Sequence, residues 1–281
     1  MPTSIVYALA AFLLMGTSDF LYKSAARAGM RTAPFLIVQS ICFLLTLVVT
    51  ASLAFDFAFT VPATILGVIC GLFAFGGFFI FVESFHHIDA SVATAIFRLG
   101  FVVTSLLAIV FLGERMTPLK LVGTASAVAA LGLFVPGRSA NVATRGMVLV
   151  SGAMVLSGIM RFCHKIAGEM GVAPTSILIF QSLTFLALAV LATRLRGEPW
   201  RPNRAALRYA PLSGVLLSGA NILLLLALRD GDATTIVPVV QLSFALTAVL
   251  SFVILREPVT PRKVAGVAAA ALTVALFARA G

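Results

Sequence analysis

"ASVATAIFRLGFVVTSLLAIVFLGERMTPLKLVG" (Ala90–Gly123) and "ATTIVPVVQLSFALTAVLSFVILREPVTPRKVAG" (Ala233–Gly266) are two stretches of one chain. Each opens on a long apolar run, ends that run at a glutamate (Glu114 or Glu257), and restarts at a proline (Pro118 or Pro261). A run of about 20 residues, rising 1.5 Å per residue as a helix, covers the roughly 30 Å of a bilayer's hydrocarbon. Strands of a membrane barrel alternate in polarity over about ten residues, and neither stretch does. The pair therefore predicts membrane helices, and it predicts them twice in the same pattern.

The duplication extends well beyond these lines. At a constant offset of 143, Ile88–Phe134 matches Gly231–Phe277 at 17 of 47 positions, including Asp89/Asp232, Thr104/Thr247, Glu114/Glu257, Lys120/Lys263 and Gly123/Gly266. The first spans match at an offset of 142, through Gly16/Gly158, Phe20/Phe162, Lys23/Lys165, Gly29/Gly171 and Gln39/Gln181. Shared apolar composition accounts for matched leucines and alanines, but not for matched Asp, Glu, Lys and Gln.

Over the whole chain, 60% of residues are hydrophobic, 11% are charged, and the mean hydropathy is +1.10. A soluble domain carries about 25% charged residues. Ten spans can be placed, near 5–22, 34–54, 61–83, 90–112, 118–135, 146–163, 173–193, 206–228, 233–255 and 262–279. The expected fold class is thus an all-α membrane protein of ten transmembrane helices in two five-helix repeats, residues 1–141 and 142–281. An odd number of spans per repeat makes the second copy enter the bilayer from the opposite side, so the repeats are inverted. Inverted halves suit alternating access, with a substrate site near the midplane where they meet.

Other features are read more simply. The first span follows "MPTS" without a basic leader and is expected to be a retained helix. Cys42, Cys70 and Cys163 lie in apolar spans at no metal spacing, so no metal is expected. The net charge of +10 belongs to loops at the lipid surface rather than to a nucleic-acid site. Counting Lys and Arg, the loops after the odd-numbered spans are the more basic, which would place them in the cytoplasm and both termini outside.

The two quoted stretches, with Lys23 and Lys165 closing the first helix of each half, resemble the EamA-type members of the drug/metabolite transporter superfamily. The shared pattern is a helix ending in Leu-Gly-Glu, a short loop, and a helix opening toward a glycine. Two departures stand out: Phe101 and Phe244 occupy positions where many relatives carry proline, and the second copy reads Leu255-Arg256-Glu257. The resemblance implies a transporter of small metabolites in a plasma or inner membrane, commonly working outward, and names no substrate.

Polar residues inside the spans are the candidates for the site. Arg98 lies about 12 Å into its helix, where an arginine costs about +2.5 to +3.5 kcal/mol and must find a partner or water. One reading makes it the anchor for a substrate's carboxylate or phosphate, gripped bidentately. The other makes it a structural ion pair with Asp19 or Glu83. Its repeat-equivalent, Gln241, is also polar. Gln39 and Asn221 complete the expected substrate-binding set, and Asp19 and Glu83 are candidates for proton coupling or counter-ions. Arg161, Lys165 and Gln181 are secondary candidates, Arg161 being the deeper of the two cations that close its helix. Glu114 and Glu257 are expected to fix turns.

No catalytic residue is expected. Glu83-x-x-His86 has the spacing by which helices present ligands to iron, but the only histidine beyond His86 and His87 is His164. The favoured expectation is an amino-acid or organic-acid exporter acting as a monomer in a lipid bilayer without a cofactor, with protons as candidate coupling ions. A proton-coupled exporter of organic cations is the alternative, and a non-transporting scaffold or receptor is the reading from a different class.

Overall fold

In the computed structural model, residues 2–54, 57–88, 90–134, 144–197, 201–257 and 259–280 are described, and the expected repeat boundary at 141/142 lies outside them. The described residues form helices and no strands: α1 (Thr3–Arg27), α2 (Thr32–Ala54), α3 (Val61–Ser84), α4 (Ala90–Arg98), α5 (Gly100–Leu112), α6 (Pro118–Phe134), α7 (Thr144–Glu169), α8 (Pro174–Leu195), α9 (Arg204–Asp230), α10 (Ala233–Gln241), α11 (Ser243–Val253) and α12 (Pro261–Ala280). α4 with α5 and α10 with α11 each make one span, so the chain crosses ten times in two inverted five-helix repeats. Nine of the spans are long and apolar enough to cross a membrane by length and composition alone. The tenth, α6, has 17 residues, about 25 Å, the short end of what a bilayer needs.

A water-soluble bundle would hide its large apolar side chains, whereas here they point outward. Leu53, Val110, Leu195 and Val253 are each more than 70% exposed, which fits a surface solvated by lipid. The core is built largely from small residues. Ala8, Ala11, Ala227 and Ala233 are fully buried between α1, α9 and α10, so these helices approach closely.

The close crossings repeat with the sequence. A Cβ on Gly16 would lie 2.8 Å from the Ser243 carbonyl and 2.9 Å from the Leu246 Cβ; one on Gly158 would lie 2.7 Å from the Gly100 carbonyl and 2.6 Å from the Val103 Cβ. Thr247 Oγ1 donates to the Gly16 carbonyl at 2.9 Å, and Thr104 Oγ1 donates to the Gly158 carbonyl at 3.0 Å. The matched glycines and threonines are thus one joint used twice, α1 on α11 and α7 on α5.

The breaks in the fourth and ninth spans are equivalent too. Leu99 and Leu242 have ψ of −3° and 1°, far from the helical value near −42°. Val102 N–H therefore donates to Leu99 rather than to Arg98, and Ala245 N–H to Leu242 rather than to Gln241, both at 2.8 Å. The carbonyls of Arg98 and Gln241 are released from their ladders at the middle of the protein.

Candidate functional site

The two released carbonyls are taken up across the repeat interface. Arg98 Nη1 donates to the Gln241 carbonyl at 3.1 Å, and Gln241 Nε2 donates back to the Arg98 carbonyl at 3.4 Å. Each broken helix is satisfied by the side chain that sits at the other's break. A backbone acceptor buried without a partner costs about 1–3 kcal/mol, so these polar side chains have a structural task that Leu or Ala could not perform. Arg98 also donates to Ser243 Oγ at 3.2 Å and forms a salt bridge with Asp19 at 2.6 Å. Of the two readings offered by the sequence, this geometry matches the ion pair with Asp19.

A cavity of about 270 Å³ lies beside this crossing, and both repeats line it. Arg98 is not on its wall, whereas Arg161 is, together with Gln39, Gln181, Asn221 and Ser157. Arg161 comes from α7, one helical turn before Lys165. Its Nη1 donates to Ser157, hydroxyl and carbonyl, and its Nη2 donates to Gln241 Oε1 at 3.2 Å. Among the described residues it forms no ion pair; each of its partners is neutral. Gln241 thus joins the two arginines, holding Arg98 with its backbone and Arg161 with its side chain.

The amides on the wall are aimed by their neighbours. Gln39 Nε2 donates to Ser213 Oγ at 2.7 Å, and Ser213 is shared with Ser18 on α1. Gln181 Oε1 pairs with His164 Nε2 at 2.6 Å, inside the protein. Asn221 spends its amide on the Leu217 carbonyl at 2.7 Å, leaving its oxygen to the cavity. Apart from Ser40 and Ser182, the remaining wall is apolar, dominated by Phe43, Phe73, Phe78, Phe97 and Phe185 with Met15 and Met160. The sequence offered no signal for these, because phenylalanine and serine are ordinary residues of membrane spans.

Other candidates stand elsewhere. Lys165 donates to the carbonyls of Leu228 and Gly231 at 2.9 and 3.0 Å and pairs with Glu169 at 2.6 Å, closing the end of α9. Glu83 pairs with Arg196 at 3.3 Å near the far ends of α3 and α8. No group of three or more His, Cys, Asp or Glu that could hold a metal occurs among the described residues.

On the side of the termini the two repeats are tied together. Glu114 accepts the N–H groups of Ala233 and Thr234 at 2.7 and 2.9 Å, placing a carboxylate on the N-terminus of α10, where the helix dipole favours it. Lys120, buried, pairs with Asp232 and also donates to Thr234. On the opposite side Glu257, in the second repeat, pairs with Lys23 at 2.7 Å and Arg27 at 2.8 Å in the first. Each end thus carries its own ionic tie between the repeats, Lys120 with Asp232 on one side and Lys23 and Arg27 with Glu257 on the other.

Comparison with known proteins agrees with this architecture. The model of the EamA-like transporter family matches twice, over residues 2–135 and again over 144–279. A crystal structure superposes with a TM-score of 0.78 over 97% of this chain and 95% of its own, at 18% identity, a likeness of fold alone. No curated protein matches the sequence. With ten apolar spans, two inverted repeats and both repeats matched by one family, the chain belongs to the EamA-like transporter family and is a multi-pass membrane transporter of the drug/metabolite type.

Proposed function

We propose that this chain exports a small acid with an apolar body, an amino acid or organic acid, by alternating access, and that Arg161 grips its carboxylate. The observation that carries this reading is a cavity-lining guanidinium whose partners are all neutral. A partly buried arginine without a direct ion pair is costly, and a carboxylate arriving in the cavity supplies one bidentately. Gln39, Gln181 and Asn221 offer hydrogen bonds to the substrate's other polar groups, and the phenylalanines accommodate its body. Arg98 acts from behind the wall, through Gln241.

Asp19 is the carboxylate we assign to proton exchange, in preference to Glu83. Its proton would dissolve the salt bridge to Arg98, and Arg98 shares Gln241 with Arg161. Substrate and proton would then be coupled through one glutamine.

The test is a thermal-shift screen of the purified protein against amino acids, organic acids, phosphates and organic cations, beside Arg161→Gln. A ligand at a hundred times its dissociation constant adds about 2.7 kcal/mol. Acids with apolar bodies should stabilise the wild type and leave Arg161→Gln unmoved. Stabilisation of both proteins alike by cations, with none by acids, would sink the reading.

A further inference from the structure

Leu36, Phe78 and Phe185 line the central cavity and also a second one of about 440 Å³. This vestibule lies between the start of α2 and the ends of α3 and α8, on the side away from the termini. Its charged lining is basic, Arg31 and Arg196 with His86 beside them, and its walls carry Phe75 and Phe79. The two guanidiniums differ in what holds them. Arg196 lies 4.2 Å over the Phe79 ring and reaches Glu83 at 3.3 Å. The Arg31 guanidinium has neither hydrogen bond nor ion pair among the described residues.

A half-exposed pair such as Arg196 with Glu83 contributes little, so a competing carboxylate can displace Glu83 readily. Stacking on Phe79 meanwhile fixes the guanidinium plane, which lowers the entropy lost on binding. Cations in a concave, apolar-walled mouth also raise the local concentration of anions. We propose that the vestibule is a second binding site for acids with an apolar body, their carboxylate held by Arg31 and Arg196 and their body laid on Phe75, Phe79 and Phe185. This rests on the reading of Arg161 as the anchor for a transported acid. The three shared side chains divide the two cavities, so both sites can be filled together.

The experiment is equilibrium dialysis of the purified full chain against radiolabelled phenylacetate and L-leucine, two apolar-bodied carboxylates without and with an amino group. The wild type should bind two molecules of at least one probe per chain. Arg31→Gln, at an exposed position without partners, should weaken one site at least tenfold, and Arg31→Gln with Arg196→Gln should abolish it. Arg161→Gln should remove the other. A single wild-type site, lost in Arg161→Gln and unmoved by Arg31→Gln, overturns the vestibular site and leaves the Arg161 reading standing. No binding of either probe to the wild type overturns both.

Discussion

The clearest residue-scale result concerns the turn that the Leu-Gly-Glu pattern encodes. Gly113 has φ of 68°, and its equivalent Arg256 has φ of 52°, the left-handed region in both repeats. Glu114 N–H reaches back to the Ala108 carbonyl and Glu257 N–H to that of Ser251, at 3.3 and 3.2 Å, so both turns make the same backbone bond. Glycine adopts this conformation freely, whereas other L-residues lose about 1–2 kcal/mol there. Arg256→Gly is therefore expected to stabilise the protein by about 1 kcal/mol, read as a raised melting temperature in detergent; a lowered one would mean that the arginine side chain matters more than its backbone. The next residue titrates. Burial raises the Glu257 carboxyl, but the Lys23 hydrogen bond and the charges of Lys23, Arg27 and Lys263 outweigh it and hold it below its ordinary value. A carboxyl lowered in the folded state contributes stability above its unfolded pKa and loses it as pH falls through the lowered value. Glu257→Gln should thus be less stable than wild type at neutral pH, with the gap closing in acid; a gap independent of pH would refute the ion pairing. How much of the site was legible turns on similar particulars. Arg98 stood out as a lone charge in a long apolar run, and that isolation marked its structural cost as well as any role in binding. Arg161 stood near a helix end among other polar residues and was ranked below it, because sequence depth does not reveal which wall a side chain faces.

At the scale of elements, the joints between α1 and α11 and between α7 and α5 show why the duplication could be read so clearly. Gly16, Gly158, Thr104 and Thr247 match in sequence because each pair performs one geometric task twice. The spans themselves were equally legible, since twenty apolar residues leave few alternatives. The breaks at Leu99 and Leu242 were not. Neither is a glycine or a proline, and the carbonyls they release are taken up by a side chain from the other repeat, a partner that no local pattern discloses. The joints make a prediction with an internal control. A Cβ at Gly158 meets α5 backbone and Val103 well inside contact distance, whereas at Gly152, on the same helix, it meets nothing within 4 Å. Gly158→Ala should cost about 1–3 kcal/mol through overpacking. Gly152→Ala should be neutral or should gain up to about 1 kcal/mol of helix propensity. Melting temperatures of the two purified variants decide it, and equal values would remove the close crossing from the account.

At the scale of the molecule, the ties between the repeats at the two ends are what alternating access, the mechanism proposed above, would have to break in turn. On the terminus side Glu114 on α10 and Lys120 with Asp232 form a seal between the repeats, and Lys120 also donates to the Arg115 carbonyl. Those groups bring a loop of the first repeat against the first turn of a helix of the second, so the seal must part when the cavity turns toward that side. The opposite side leads through Leu36, Phe78 and Phe185 to the vestibule. A covalent bridge across the seal should therefore stop transport without stopping binding. Arg115→Cys with Asp232→Cys, in a chain whose Cys42, Cys70 and Cys163 are replaced by alanine, can be joined by a short reducible bis-thiosulfonate reagent. In proteoliposomes the bridged protein is expected to lose flux of an identified acid, to keep its thermal stabilisation by that acid, and to recover flux on reduction. Undiminished flux through the bridged protein would mean that this seal never opens. Lost binding together with lost flux would mean that the bridge deforms the cavity instead of holding it in one state. Retained binding with arrested flux would place the moving boundary between the first repeat's loop and α10, and would make the ties formed by Glu114 and Lys120 the ones broken in each transport cycle.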